Sequence, residues 1–206
     1  MMEDTRGEPN VSDPTFWDGL YQAGRSGWDL GRPSPPFEEL LAGPAAPTAG
    51  RLAVVGCGRG NDALLFARHG FAVTGFDFAP SAVDAARAAS ASAGLHAEFV
   101  QTDIFAVPSS YHGAFDYVLE NTCFCAIDPA RRSEYVGVIH DLLRPGGELI
   151  ALFFAHGRPG GPPFTTDAEE VRRLFDDSFV VEHLGPAANS AEPRRGKELF
   201  GRLRRR

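Results

Sequence analysis

The stretch Leu52–Asp77, LAVVGCGRGNDALLFARHGFAVTGFD, decides the fold. The apolar run Leu52–Val55 reads as a buried strand. Gly56-Cys57-Gly58-Arg59-Gly60 follows as a turn, Asn61–His69 as a helix, and Ala72–Phe76 as a second strand that ends at Asp77. Two strands joined by a crossover helix are the building unit of a doubly wound, mainly parallel α/β sheet. In that unit a glycine turn lets a ligand lie against bare backbone. An acid at the tip of the second strand accepts hydrogen bonds from ribose hydroxyls. The stretch therefore predicts a site for an adenosine-bearing cofactor.

Working outward, the alternation continues. Ser81–Ala93 reads as an Ala-rich helix capped by Ser81, and Ala97–Gln101 as a strand running into the turn Asp103-Ile104-Phe105. Phe115–Leu119 is a strand, and Pro129–Leu143 a helix closed by Pro145-Gly146-Gly147. Glu148–Phe154 is apolar enough for a central strand. A Gly/Pro-rich loop over Gly157–Pro163 precedes a helix at Asp167–Phe175. Phe179–Leu184 and Lys197–Arg202 read as a closing pair of strands. Upstream, Ser12 or Asp13 caps a helix opening at Pro14, and Pro35–Ala42 is a second helix. Strands alternating with helices give a sheet covered on both faces. Residues 1–12 are expected to be disordered and 13–206 to form a single domain, with 13–45 as an N-terminal cap and 51–206 as the core.

With 206 residues, one domain with a real core is expected. The net charge of −7 argues against a nucleic-acid partner. The basic tail Arg202-Leu203-Arg204-Arg205-Arg206 reads as a solvated run. No apolar run approaches a membrane helix, and the acidic start MMEDTRGEPN is no secretory signal. Cys57, Cys123 and Cys125 form no paired framework, which points to reduced thiols in the cytoplasm. Cys123 and Cys125 lack zinc spacing, so no metal is expected.

Two adenosine cofactors compete for the glycine turn. A dinucleotide fingerprint places a third glycine three positions after the second and aims a helix N-terminus at a pyrophosphate. Here the glycines fall at 56, 58 and 60, followed by Asn61 and Asp62. A carboxylate at Asp62 repels a pyrophosphate and suits a ligand carrying an ammonium and a sulfonium. S-adenosylmethionine has both and no phosphate. Asp103 and the Ile104 amide, directly after the third strand, are placed to meet the adenine ring.

Trp17, Trp28-Asp29-Leu30-Gly31-Arg32-Pro33, Val55-Gly56-Cys57-Gly58, Phe124-Cys125-Ala126-Ile127, Gly160-Gly161-Pro162-Pro163-Phe164 and Arg195-Gly196-Lys197-Glu198 are similar to segments of one family. The chain resembles the thiopurine/halide/thiol methyltransferase group of class I S-adenosylmethionine-dependent enzymes from about Thr15 to Arg202. The resemblance implies a Rossmann-like, seven-stranded sheet with an antiparallel last strand and a helical cap. It implies that Trp17, Tyr21 and Trp28 fold over the donor. It also implies donor contacts from Gly56, Asp77, Asp103, Ile104 and Asn121; Gly58, Phe78 and Glu120, near these in the chain, are expected at the donor site too. Asn121 departs from the family, whose plant halide/thiol members carry tyrosine there and whose thiopurine-type members carry arginine. The acceptor pocket is expected around Asn121, Thr122 and Arg195, with Arg194 beside it.

The expected reaction is methyl transfer to a small nucleophile, a thiol or a halide or pseudohalide anion. Such an anion needs no general base, and positioning carries the catalysis. Cys123 and Cys125 read as small apolar fillers. The enzyme is expected to act as a monomer on a small molecule, away from membranes. A larger aromatic thiol, metalloid oxyanion or natural product remains open as the acceptor. An NAD-dependent oxidoreductase and a donor-binding module without catalysis are the readings from other classes.

Overall fold

The computed structural model describes residues 10–206. The disorder expected for residues 1–12 thus falls mostly outside the described residues, while Val11 and Ser12 form a turn. Helix α1, Pro14–Gln22, opens on Pro14 with Asp13 as its cap, accepting from the Thr15 N–H. Helix α2, Pro35–Ala42, completes the cap segment. The core then alternates: β1 Arg51–Val55, α3 Asn61–Arg68, β2 Ala72–Asp77, α4 Pro80–Ser92, β3 Glu98–Gln101 and β4 Phe115–Asn121. It continues with α5 Arg132–Leu142, β5 Leu143–Phe154, α6 Ala168–Phe175, β6 Phe179–Pro186 and β7 Glu198–Arg205.

These strands form one seven-stranded sheet in the order β3-β2-β1-β4-β5-β7-β6. Pairings from β3 to β5 are parallel, whereas β7 runs antiparallel to both its neighbours. Side chains alternate across the sheet, so each strand feeds two cores. Leu52 and Val54 of β1 pack on one face with Phe37, Phe66 and Val83, while Ala53 and Val55 pack on the other with Phe124, Tyr135 and Phe153. Neighbouring strands β1 and β4 leave the sheet in opposite directions, to α3 and to α5. The crevice this opens at their carboxyl ends is where doubly wound folds bind ligands.

Two expectations are corrected. Ser81 does not cap α4: the helix begins at Pro80, and Ser81 gives both its N–H, at 2.9 Å, and its hydroxyl to Asp18 of α1. The serine ties the cap to the core instead of closing a helix end. The basic tail is not a loose solvated run either, because β7 reaches Arg205. Alternation sends its arginines to specific acceptors. Arg202 forks onto Glu148, Arg204 pairs with Glu182, and Arg205 reaches the Leu143 carbonyl. Ladder hydrogen bonds to β5 on one side and β6 on the other, together with these cross-strand pairs, order the run.

Candidate active site

The crevice holds two adjoining clefts. The first, of about 810 Å³, is lined mainly by apolar and aromatic side chains beneath the cap. Its walls include Trp17, Phe78, Asp103 and Ile104, with Asp77 and Thr102 at the ends of β2 and β3. The second, of about 510 Å³, is lined by Asp29, Arg32, Asn61, Asp62, Asn121 and Arg194 among others. Tyr21, Trp28, Gly56 and Thr122 line both.

The glycine turn lies where the clefts meet: Gly56 lines both, and Gly58 lines the second. Gly56 and Gly58 take φ of +58° and +52°, a left-handed backbone that residues with a Cβ rarely adopt. Space also excludes a side chain there: a Cβ on Gly56 would lie 2.8 Å from the Cys123 Cβ, and one on Gly58 2.9 Å from the Tyr21 hydroxyl. Asp77 sits at the tip of β2 and does two jobs. Its Oδ2 accepts the Gly58 N–H at 2.8 Å, and its Oδ1 accepts the Ala79 N–H at 3.0 Å. An ionised carboxylate has about four lone-pair sites, so two remain for ligand hydroxyls. Burial pushes its pKa up, against backbone hydrogen bonds that pull it down. Asp103 spends Oδ1 on the Phe105 N–H at 3.0 Å, which fixes the turn after β3.

The roof is an aromatic cluster. Trp17 meets Trp28 edge to face at 5.3 Å between ring centres, and Tyr21 meets Trp28 likewise at 5.3 Å. Trp17 donates its indole N–H to the Val11 carbonyl at 2.9 Å, and Trp28 donates to the Tyr21 hydroxyl at 3.0 Å. Edge-to-face packing leaves ring faces available to other groups.

The second cleft is organised by polar pairs. Asp62 accepts the Ser34 N–H at 2.7 Å and its hydroxyl at 3.2 Å, and also the Asn121 amide at 2.7 Å. Asn121 turns its carbonyl oxygen to Arg194 at 3.2 Å, so one neutral amide bridges an acid and a guanidinium. Arg194 also pairs with Glu198 at 3.2 Å and donates to the Trp28 carbonyl. Arg59 pairs with Asp29 at 3.2 Å and lies over the Tyr21 ring. Thr122 closes β4 with φ +63°, an uncommon conformation for a β-branched residue, at the junction of the two clefts.

Most of the sequence-derived candidates converge here, and two do not. Glu120 lines neither cleft. It is fully buried beneath them, accepting the Phe124 N–H at 3.0 Å and the Tyr135 hydroxyl at 2.6 Å. Alternation along β4 turns it to the core face, away from the ligand crevice. Arg195 points outward and is exposed, whereas Arg194 is 6 % exposed and enters the second cleft. The short 3₁₀ turn at Glu192–Arg194 rotates the first arginine inward. Ser34 was missed altogether. Its only signal is its place between two prolines ahead of α2, which marks a rigid corner. Cys57 and Cys123 are half-buried and Cys125 is buried; burial pushes all three thiols up, so they stay protonated.

The sheet order, the glycine turn and the acid after β2 define a class I S-adenosylmethionine-dependent methyltransferase. A family model described as thiopurine S-methyltransferase matches residues 12–202, and the chain belongs to that family. It is 31 % identical to a probable thiol methyltransferase 2 of Arabidopsis thaliana, over 92 % of this chain and 84 % of that one. It is 30 % identical to thiocyanate methyltransferase 1 of Brassica oleracea, over 96 % and 88 %. Among solved structures, one concerned with conversion of a disulfide bond into a thioacetal group during echinomycin biosynthesis aligns with TM-score 0.79. It shares 25 % identity and covers 94 % of this chain and 93 % of that one. A Burkholderia thailandensis 1,6-didemethyltoxoflavin N1-methyltransferase with bound S-adenosylhomocysteine shares the fold at TM-score 0.74 and 23 % identity, over 93 % and 86 %.

The residues fit the donor. The bare turn at Gly56 and Gly58 tolerates close approach. Asp77 keeps lone pairs that ribose hydroxyls could take, and the cap presents aromatic rings of the kind that attract a sulfonium by cation–π interaction.

Proposed function

We propose that the chain methylates a small nucleophile, a thiol or a halide or pseudohalide anion, at the wall shared by the two clefts. The observation that carries this reading is that Tyr21, Trp28, Gly56 and Thr122 line both spaces. A donor in the first cleft and an acceptor in the second would meet at that wall. The names of the plant relatives, thiol and thiocyanate methyltransferases, support the acceptor class.

Bound S-adenosylmethionine supplies a methyl group activated by its positively charged sulfur. The chain supplies position and dryness. In this reading Asp77 holds the ribose, and Asp103 with Ile104 holds the adenine end. Trp17, Tyr21, Trp28 and Phe78 cover the donor, and Asn121 and Thr122 face the acceptor. Stripping water from an anion raises its nucleophilicity, and alignment lowers the barrier by about 7–11 kcal/mol. The acids that line the second cleft already hold Ser34, Asn121, Asn61 and Arg59, which favours an acceptor that arrives ionised. The net charge of −7 favours a small acceptor over nucleic acid, and the three free thiols favour a reducing compartment. We read the working form as a cytoplasmic monomer.

Headspace gas chromatography with iodide, bromide, thiocyanate and hydrosulfide, run beside a thiopurine assay, tests the acceptor. Volatile methylated product is the expected result. Turnover of the thiopurine alone would move the acceptor to the larger aromatic class.

A further inference from the structure

The charges around the second cleft do not all cancel. Arg59 is balanced by Asp29 and Arg194 by Glu198. Asp62 has only neutral partners, the Ser34 backbone and hydroxyl and the Asn121 amide. Arg32 lines the cleft at its exposed mouth and, among the described residues, has neither an ion pair nor a side-chain hydrogen bond. Ser34 stands two residues from Arg32 and grips Asp62, yet Arg32 itself is not drawn onto that acid. Asp62 thus has no direct ion-pair partner, with Arg194 attracting its charge only across the Asn121 amide, and Arg32 is an unpaired cation at the mouth.

That pattern complements a zwitterion. The tail of the donor is an amino acid, with an ammonium and a carboxylate on one carbon. The second cleft continues from the glycine turn, through Gly56, Cys57 and Gly58, on which the donor is read to lie. We propose that Arg32 is a donor-binding residue that holds the α-carboxylate of S-adenosylmethionine, with Asp62 facing the ammonium. A guanidinium matches a carboxylate in a two-pronged geometry that lysine reproduces only as a point charge. The inference rests on the donor reading above and adds to it a residue that neither the glycine turn nor the terminal acid of β2 points to.

Calorimetric titration with two neutral-sulfur ligands tests it. S-adenosylhomocysteine carries the amino-acid tail, whereas 5′-methylthioadenosine keeps the nucleoside and sulfur without it. Arg32→Gln is expected to weaken the first by about 10- to 100-fold and to leave the second within about twofold. Arg32→Lys is expected to recover part of the loss. Arg32 is exposed and outside the hydrophobic core, so neither substitution opens a cavity there. An equal loss for both ligands would overturn the inference, because the tail would not be what Arg32 reads. Unchanged affinity for both, with a raised KM for an anionic acceptor, would also overturn it and assign Arg32 to the acceptor. If the unsubstituted protein binds neither ligand, it is the donor reading that fails.

Discussion

The two clefts differ in how they are made. The first is shaped by backbone and rings: Gly56, strand ends, and three edge-to-face aromatics. The second is shaped by charge: two ion pairs, an amide bridge, and a serine corner. On the reading proposed above, the first would hold the nucleoside of the donor, and the second would meet its amino-acid tail and the acceptor. Apolar walls tolerate drift, because burial is non-directional. Polar networks do not, because each unpaired member left inside costs free energy. The second cleft is therefore the more fragile of the two, and substitutions there should show it.

The largest expected effect is at Arg194. Glu198 is 4 % exposed, so Arg194→Ala strands a carboxylate in the interior. Urea denaturation should show a loss of about 3–5 kcal/mol, and Glu198→Gln in the same chain should restore most of it. A loss under about 1 kcal/mol would mean the pair does not organise the second cleft.

Next comes Glu120, beneath both clefts. Burial pushes its pKa up to about 7, against hydrogen bonds from Tyr135, Phe124 and Cys123 that pull it down. The unfolded carboxyl titrates near 4.5. Between these values the folded protein holds the extra proton, so stability falls as pH rises from about 4.5 to 7. The fall is about 3 kcal/mol as an upper figure. Glu120→Gln can still accept from Phe124 and should flatten that dependence. Melting curves across this range, identical in slope for both proteins, would remove Glu120 from the account.

Asp77 tests the first cleft. Asp77→Ala should weaken S-adenosylhomocysteine by about 100-fold in calorimetry, from lost charge-assisted hydrogen bonds. Asp77→Asn keeps an acceptor for one of the two backbone N–H groups, which separates ligand contact from support of the turn. Undiminished affinity in both variants would detach Asp77 from the ribose.

The two clefts were also unequally legible in the sequence. Gly56, Gly58 and Asp77 lie within one strand–turn–helix–strand unit, and local rules reach that far. The aromatic roof required the resemblance, because nothing local to Trp17 or Trp28 says what they cover. The second cleft joins Ser34 to Asp62 across 28 residues, Asn121 to Asp62 across 59, and Arg194 to Trp28 across 166. No window of sequence contains such a network. Choosing between Arg194 and Arg195 needed the backbone turn that points one inward. Glu120 failed for a related reason: sheet alternation assigns faces, but a resemblance by position does not say which neighbour faces the ligand.

The smallest effect sits on the wall the clefts share. If Trp28 attracts the sulfonium, its contribution depends on charge and should vanish for the neutral product. Trp28→Leu removes the ring while keeping the carbonyl that Arg194 holds. It also removes the bond to the Tyr21 hydroxyl, a loss common to both ligands. The ratio of affinities for S-adenosylmethionine and S-adenosylhomocysteine cancels that shared loss. It should fall by about 2- to 30-fold, the range of one cation–π contact. A constant ratio, with both affinities lowered together, would make Trp28 a strut of the cap rather than a face for the reacting sulfur. The boundary between the clefts would then be steric, drawn by Trp28 with Tyr21, Gly56 and Thr122.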